Sequence, residues 1–375
     1  MLIGVDASRA TVAQRTGTEA YSLHAVRQLI AVGAAHRFRL YFNTPPVAGL
    51  IPLGENCESR VIPFPCLWTH LRLSAEMSLH APDVLWVPSH VLPLVHPRRS
   101  IVTVHDLGHR YWPGAHTARQ RWYLEWSARY HARTAAHMIA DSQATRDDLV
   151  RIYGIEPTRI TVAYLGVDSA LQRVEDATQV ERTCRGYGIS YPYLLYVGTL
   201  QPRKNLVRLL EAFAELRRLT SGPLQLVLAG RMGWQYQGIL ARAQGLGLGQ
   251  DIVVTGYVPE VDLPALYSGA TLFVLPSLYE GFAMPVLEAM ACGVPVACSN
   301  VSSLPEVAGD AALLFDPRSV DGMVAAIRCG LEDAELRATL TERGRKRVQH
   351  FTWERCARQV LNVLEQVGRK EQVAC

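Results

Sequence analysis

Two glutamates around a glycine turn carry the clearest chemistry in this chain. The segment Glu280-Gly281-Phe282-Ala283-Met284-Pro285-Val286-Leu287-Glu288 follows the apolar run Thr271-Leu272-Phe273-Val274-Leu275 and the pair Pro276-Ser277. That order predicts strand, loop, then helix, with Pro285 in the first helical turn, where its missing N–H does no harm. A helix start offers unpaired N–H groups and a positive dipole end to an anion. The backbone at Gly281, Phe282, Ala283 and Met284 is therefore a candidate phosphate cradle. Glu288, about one turn in, would accept hydrogen bonds from hydroxyls of the same ligand, and Glu280 lies near that ligand's other end. A phosphate held between hydroxyl-bearing groups outlines a sugar nucleotide. The blander alternative is a solvated Glu280 and a helix-capping Glu288.

Other candidates follow other apolar runs. Behind Tyr193–Val197 comes Gly198-Thr199-Leu200-Gln201-Pro202-Arg203-Lys204-Asn205-Leu206. A glycine turn followed by Arg203 and Lys204 at the next helix start suits a diphosphate, because guanidinium forks onto two oxygens and ammonium acts as a compact charge. Their role in the transition state would be to stabilise the departing diphosphate. A bare Arg-Lys pair is usually a solvated surface feature, but the carboxyl end of a parallel strand favours function. Two further runs end in Ala229-Gly230-Arg231 and Thr255-Gly256-Tyr257-Val258, where Tyr257 reads either as a stacking ring or as a packing aromatic. In the first half, Ile101–Val104 ends in His105-Asp106-Leu107. A histidine there can assist a reaction near neutral pH, with Asp106 orienting its ring or capping the next turn. Gly17, opening the first helix, lets backbone N–H groups approach a phosphate or an acceptor. Glu19 reads as a contact to acceptor or, more simply, as a charge favouring the helix dipole, and Ser142 as a helix N-cap.

These residues need strand ends to hold them, and the pattern supplies such ends. Short apolar runs alternate with amphipathic stretches throughout, which predicts an α/β protein with parallel sheets. Six runs fall in the first half, at 2–7, 38–42, 84–87, 101–104, 138–140 and 160–163, and six in the second, at 193–197, 224–229, 252–255, 272–275, 294–297 and 313–315. The polar stretch 171–191 reads as the linker, and 352–366 as a final helix. Gly245-Leu246-Gly247-Leu248-Gly249 follows a helical segment and precedes a strand, the reverse of a dinucleotide fingerprint, so it reads as a helix stop.

A length of 375 residues predicts two domains. With 49% apolar and 19% charged residues the composition is that of an ordinary soluble globular protein. The net charge of +4 comes from scattered residues and argues against a nucleic-acid partner. Eight cysteines include no Cys-x-x-Cys pair and none at zinc spacing beside histidines, so no metal is expected; they suit a reducing compartment. A strand-like start without a leader and the lack of a membrane-spanning run predict a cytoplasmic protein. The stretch Arg119–Arg133, with Trp122, Tyr123, Trp126 and Tyr130, has two readings. One is an interfacial helix giving peripheral association with the inner membrane near a lipid-linked acceptor. The favoured one is an ordinary amphipathic helix with Trp122 and Trp126 buried.

Taken together, Pro276-Ser277 through Gly293-Val294-Pro295-Val296 and on to Leu304-Pro305-Glu306-Val307-Ala308-Gly309-Asp310-Ala311-Ala312 resemble the group 1 (GT4-type) retaining glycosyltransferases. Their hallmark of Glu, seven residues, Glu is met here by Glu280 and Glu288. Gly-Thr-Leu-x-Pro-Arg-Lys-Asn is similar to a subgroup that includes O-antigen mannosyltransferases. The resemblance implies the GT-B fold, with two Rossmann-like parallel-sheet domains facing across a cleft. Residues 1–170 would bind acceptor, 171–351 the donor, and a helix at about 352–375 would pack back on the first domain. It places Glu280 at the transferred sugar, Glu288 at the ribose, His105 near the sugar, and Gly17 at the donor phosphate on closure. Gly198, Arg231, Tyr257 and Val258 would flank the nucleotide, with backbone near Tyr257 and Val258 at the base. Thr199 stands where relatives carry an arginine; Lys204 matches their lysine, and Arg203 is expected to take over the arginine's part.

The implied activity is hexosyl transfer from a sugar nucleotide to a polysaccharide or lipid-linked saccharide, GDP-mannose being slightly favoured over UDP-sugars. No cofactor is expected: Asp-x-Asp, which holds a metal in another glycosyltransferase architecture, does not occur, and Arg203 and Lys204 would serve instead. A sugar-nucleotide epimerase would need further carboxylates, and a phosphorylase a lysine Schiff base. A non-catalytic sugar-nucleotide-binding paralogue would not need Glu280, Glu288, Lys204 and His105 together.

Overall fold

The computed structural model describes residues 1–12, 15–52, 54–89, 91–115, 117–220 and 222–369. The chain divides into two compact units. One comprises Met1–Leu107, Ala118–Gly166 and the chain from Phe351 onward; the other comprises Gly108–Thr117 and Val167–His350.

The first unit is built on β1 (Leu2–Asp6), β2 (Arg37–Phe42), β3 (Cys57–Val61), β4 (Val84–Val87), β5 (Ser100–Val104), β6 (His137–Ala140) and β7 (Ile160–Val162). All pairings are parallel, in the spatial order β3-β2-β1-β4-β5-β6-β7. Central strands of such a sheet are covered on both faces, so β4 reads Val-Leu-Trp-Val with every residue buried. The strand β3 was not anticipated. It is an edge strand, pairs among the described residues with β2 alone and is largely exposed, so its Cys-Glu-Ser-Arg-Val sequence carries no apolar run.

The final helix, Trp353–Arg369, belongs to this unit as well. Its buried stripe of Trp353, Cys356, Ala357, Val360, Val363, Leu364 and Val367 repeats at three- and four-residue steps, as a docked helix requires. It lies on the Gly17–Val32 helix: the rings of His24 and Trp353 stack at 5.2 Å, and His36 Nε2 meets Glu365 Oε1 at 2.9 Å. Gly166 makes room for the returning chain, since a Cβ there would sit 2.1 Å from the Trp353 nitrogen. Residues 370–375, included in the expected terminal helix, lie outside the described residues.

The second unit carries β8 (Tyr193–Val197), β9 (Gln225–Ala229), β10 (Ile252–Gly256), β11 (Leu272–Leu275), β12 (Val296–Ser299) and β13 (Ala312–Phe315), parallel and ordered β10-β9-β8-β11-β12-β13. The expected linker contains a helix, Ala177–Gly186, that starts on an Asp176 N-cap and buries Val180 and Cys184 four residues apart. Two apolar residues at that spacing suffice to dock a polar helix, which is why composition alone read as linker. The glycine-rich 245–249 stretch ends the Tyr236–Gly245 helix and leads into β10, as expected.

In each sheet the strand order reverses at one point, between β1 and β4 in the first and between β8 and β11 in the second. Such switch points open a crevice beyond the strand carboxyl ends. One expectation about side chains fails. In the Ala118–Thr134 helix the buried residues are Ser127, Ala128 and His131, Trp126 is half-buried, and Trp122 is 68% exposed. No helix among the described residues is long and apolar enough to cross a membrane.

Candidate functional site

The loops after β8 and β11 meet at the switch point of the second sheet, and they bring Arg203, Lys204 and Glu280 together. Lys204 Nζ donates to Glu280 Oε1 at 2.5 Å, and Arg203 Nη1 donates to Glu280 Oε2 at 3.3 Å and to the Tyr279 carbonyl at 2.6 Å. Ser277 Oγ donates to Oε1 at 2.5 Å, while the Glu280 N–H donates to Ser302 Oγ and its carbonyl accepts from Ser303 Oγ. Glu280 is 6% exposed. Burial pushes its carboxyl up, but Lys204 and Arg203 outweigh that and hold it below the ordinary glutamate value. The result is a buried carboxylate with two cations fixed on it, ready to share them with an anion.

Local sequence explains the fixture. Asn205 adopts the left-handed conformation at φ 61, a conformation asparagine tolerates, and ends the short turn that carries Arg203 and Lys204. Its Nδ2 donates to the carbonyls of Pro276 (3.0 Å) and Pro317 (2.7 Å), tying the β8 loop to the β11 loop. Gly198 and Gly230 let the strand ends zip together: Gly198 N–H donates to the Ala229 carbonyl and Gly230 N–H to the Gly256 carbonyl. A Cβ at Gly230, whose φ is +144, would lie 2.1 Å from the Gly198 carbonyl oxygen.

Beyond Glu280 the chain passes through Gly281, Phe282 and Ala283, all buried, into the Met284–Ala291 helix with Pro285 in its first turn. Ala283 caps that helix at φ 72, where only a non-β-branched or glycine residue is tolerable, an outlier of the kind found at ligand clamps. Glu288 lies one turn in, and Tyr267, fully buried on the Leu263–Gly269 helix, donates its O–H to Glu288 Oε2 at 2.8 Å. Burial raises the Glu288 carboxyl to about 7; the Tyr267 hydroxyl opposes this, and Glu260 and Asp168 add to it. Further along the sheet, the Arg231 guanidinium lies over the Tyr257 ring at 5.0 Å, and Val258 beside it is buried. Tyr257 thus has a packing partner of its own.

In the first unit His105 follows β5, and its ring partner is Asp141, not the adjacent Asp106. Nδ1–H donates to Asp141 Oδ2 at 2.6 Å, and Tyr21 packs edge-on at 4.8 Å. Burial works against the charged ring, but Asp141 more than compensates, by charge and then by hydrogen bond, so the imidazole titrates above its ordinary value. Nε2 is buried and has no hydrogen-bond partner among the described residues. The adjacent Ser142 is the N-cap expected, accepting from the Thr145 N–H at 3.0 Å. Gly17 is the first residue of its helix, and the Glu19 carboxylate closes a capping box on the Thr16 N–H at 3.1 Å, which accounts for Glu19 without a ligand.

Sequence reasoning assigned no role to Asp141, Asn205, Tyr267, Ser277, Ser302 or Ser303. Asn205 and Ser277 sit inside motifs that were singled out, whereas Tyr267 lies 21 residues from Glu288 without any local signal. A second ring also went unnoticed: Tyr111, in the Gly108–Thr117 segment of the second unit, stacks on Tyr279 at 4.6 Å.

Comparison with known proteins identifies the family and the fold. Residues 188–347 match the family described as glycosyl transferases group 1, and residues 16–171 match glycosyltransferase family 4. An Escherichia coli protein named O-antigen chain mannosyltransferase B is 33% identical over 365 residues, covering 92% of this chain and 95% of that one. An MMP alpha-(1->4)-mannosyltransferase of Mycolicibacterium hassiacum is 30% identical over 66% of this chain and 58% of its own length. Among solved structures, sucrose-phosphate synthase of Thermosynechococcus elongatus superposes with a TM-score of 0.77 at 21% identity, covering 99% of this chain and all of that one, which establishes the GT-B fold.

Proposed function

The chain belongs to the group 1 glycosyltransferases and is a hexosyltransferase, and we propose that it transfers mannose from GDP-mannose, with retention of configuration, to a growing polysaccharide or lipid-linked saccharide. The observation that carries the site assignment is the buried Lys204–Glu280–Arg203 cluster at the second switch point. Relatives named as mannosyltransferases support the choice of sugar.

On this reading the donor diphosphate lies against Lys204 and Arg203 and the start of the Met284–Ala291 helix. Arg203 supplies the charge that an arginine in place of Thr199 would give. Glu288 accepts from the ribose hydroxyls and Glu280 from hydroxyls of the transferred sugar. The acceptor hydroxyl oxygen bonds to the anomeric carbon on the face from which the diphosphate leaves. The breaking bond gives its electron pair to the β-phosphate oxygen, the acceptor proton passes to that phosphate, and Lys204 and Arg203 stabilise the charge that develops. No step in this scheme calls for a metal. His105, held by Asp141, is assigned to the transferred sugar and Gly17 to the donor phosphate.

The test is a panel of GDP-, UDP- and ADP-sugars, read by thermal shift and by product analysis with a saccharide acceptor. GDP-mannose should stabilise the chain most and yield an α-linked product, because a ligand that binds only the folded state raises its apparent stability. Glu288→Ala should weaken nucleotide binding, and Glu280→Ala should lower transfer more than binding. Stabilisation by a UDP-sugar alone would reassign the donor, and wild-type transfer by both variants would refute the site.

A further inference from the structure

The segment Gly108–Thr117 belongs to the second unit, although the chain on both sides of it belongs to the first. It begins with one helical turn, Gly108–Tyr111, in which Gly108 and His109 are buried, and the Trp112 N–H donates to the Gly108 carbonyl at 2.8 Å. That turn carries Tyr111 onto the Tyr279 ring, with centroids 4.6 Å apart and planes 23° from parallel. Ring pairs of this kind attract beyond the area they bury. Tyr279 is buried and Tyr111 is 38% exposed, so Tyr111 is the outer ring of the pair.

The inner ring stands on the main chain that seats Arg203. The Leu278 N–H donates to the Arg203 carbonyl at 3.0 Å. Arg203 Nη1 donates to the Tyr279 carbonyl at 2.6 Å, against 3.3 Å to Glu280 Oε2. The arginine is thus held at its backbone and at its guanidinium by Leu278-Tyr279, and its shorter bond is to main chain rather than to carboxylate. Lys204 is held differently, by Glu280 Oε1, on which Ser277 Oγ also converges. The peptide between Tyr279 and Glu280 is fixed on its other edge by Ser302 Oγ, which accepts the Glu280 N–H at 2.9 Å. A carbonyl aims a guanidinium only as well as its own residue is fixed, and the Tyr279 ring is what fixes that residue.

We propose that Tyr111 is a positioning residue for the transfer: stacked on Tyr279, it fixes the carbonyl that holds the Arg203 guanidinium against the donor β-phosphate. The inference rests on the donor site proposed above and adds to it a residue from outside Val167–His350. Without the outer ring Arg203 keeps its charge and its place in the chain but loses a fixed direction. The loss therefore falls on the β-phosphate, where charge develops as the glycosidic bond breaks, and not on the nucleoside.

The full chain and its variants are titrated by calorimetry with GDP and GMP, and with UDP and UMP, and assayed for transfer from the matching sugar nucleotide. The ratio of diphosphate to monophosphate affinity reads the β-phosphate contact alone. Tyr111→Ala should lower that ratio roughly fivefold and turnover at saturating donor on the order of tenfold, with monophosphate affinity unchanged. Tyr111→Leu, which keeps apolar cover without the ring, should do the same at an unchanged thermal midpoint, and Tyr111→Phe should retain both properties. In an Arg203→Ala background Tyr111→Ala should add nothing, because residues that act through one another are not additive. A wild-type ratio in Tyr111→Leu, an equal loss in Tyr111→Phe, an equal loss of monophosphate affinity, or an undiminished effect without Arg203 would each overturn the inference and leave the donor site standing. Failure of the unaltered chain to bind any of the four nucleotides would refute the donor site itself, and this inference with it.

Discussion

On the proposed reading, Glu288 is the residue at which protonation and ligand binding meet. Burial raises its carboxyl to about 7, and the Tyr267 hydroxyl, donating at 2.8 Å, is what holds the ionised form against that rise. For the free fold the sign is unfavourable to ionisation. The proton is held more tightly in the folded chain than at the ordinary value of 4.5, so this group's contribution to stability is full below 4.5 and lost as pH rises through about 7. For a ligand that donates ribose hydroxyls the sign reverses, because those hydroxyls need the carboxylate. Nucleotide binding should therefore tighten as pH rises through about 7 and release a proton, measurable by calorimetry in buffers of different ionisation enthalpy. Tyr267→Phe should move that midpoint upward and weaken nucleotide binding at neutral pH by roughly fivefold to tenfold, with turnover at saturating donor little changed. Binding that ignores pH between 5 and 8, on the order of the range set by that shift, would detach Glu288 from the ribose.

At the scale of elements, the proposed transfer site rests on how the β8 and β11 loops are tied, and Asn205 is the tie. Asn205→Ala removes two buried hydrogen bonds and puts alanine at φ 61, so it should cost about 2–4 kcal/mol in denaturant unfolding. Transfer should fall further than that loss accounts for, because Lys204 immediately precedes Asn205. Asn205→Gly should recover the backbone share of stability and leave transfer low; full recovery of transfer would show that the two side-chain bonds do not position the cations. This junction also marks the limit of what sequence could tell. Twelve of the strands stand as apolar runs, as the central ones must where both faces are buried, and the strand–loop–helix around Glu280 is legible because its glycine, proline and carboxylates are contiguous. The strand Cys57–Val61 and the helix Ala177–Gly186 were not legible, since an edge strand or a helix docked by two residues needs little apolar sequence. The pairing of His105 with Asp141 spans 36 positions, and that of Tyr267 with Glu288 spans 21. Contacts at that separation are made by the packing of sheets and helices and leave no local spacing to read.

On the scale of the whole molecule, chain order and structural membership disagree, and that has a consequence. The helix Trp353–Arg369 comes after the entire second unit yet completes the first, covering the Gly17–Val32 helix with the stripe from Trp353 to Val367. Removing it would uncover Tyr21 and His24, whose rings lie 6.0 Å and 5.2 Å from that of Trp353, and losing even one large buried ring such as Trp353 costs about 3–5 kcal/mol. A chain ended at His350 should therefore lose the cooperative unfolding of the first unit and all transfer activity. The second unit keeps its six strands, the Lys204–Glu280–Arg203 cluster and Glu288, all within Val167–His350. The same nucleotide that stabilises the full chain should still raise the remaining unfolding transition of the truncated one, by a similar increment at equal ligand concentration. Loss of that ligand-dependent shift, with the second unit's transition still present, would mean that the nucleotide site needs the first unit; an unaltered transfer rate would mean that the terminal helix does not complete the first unit in solution.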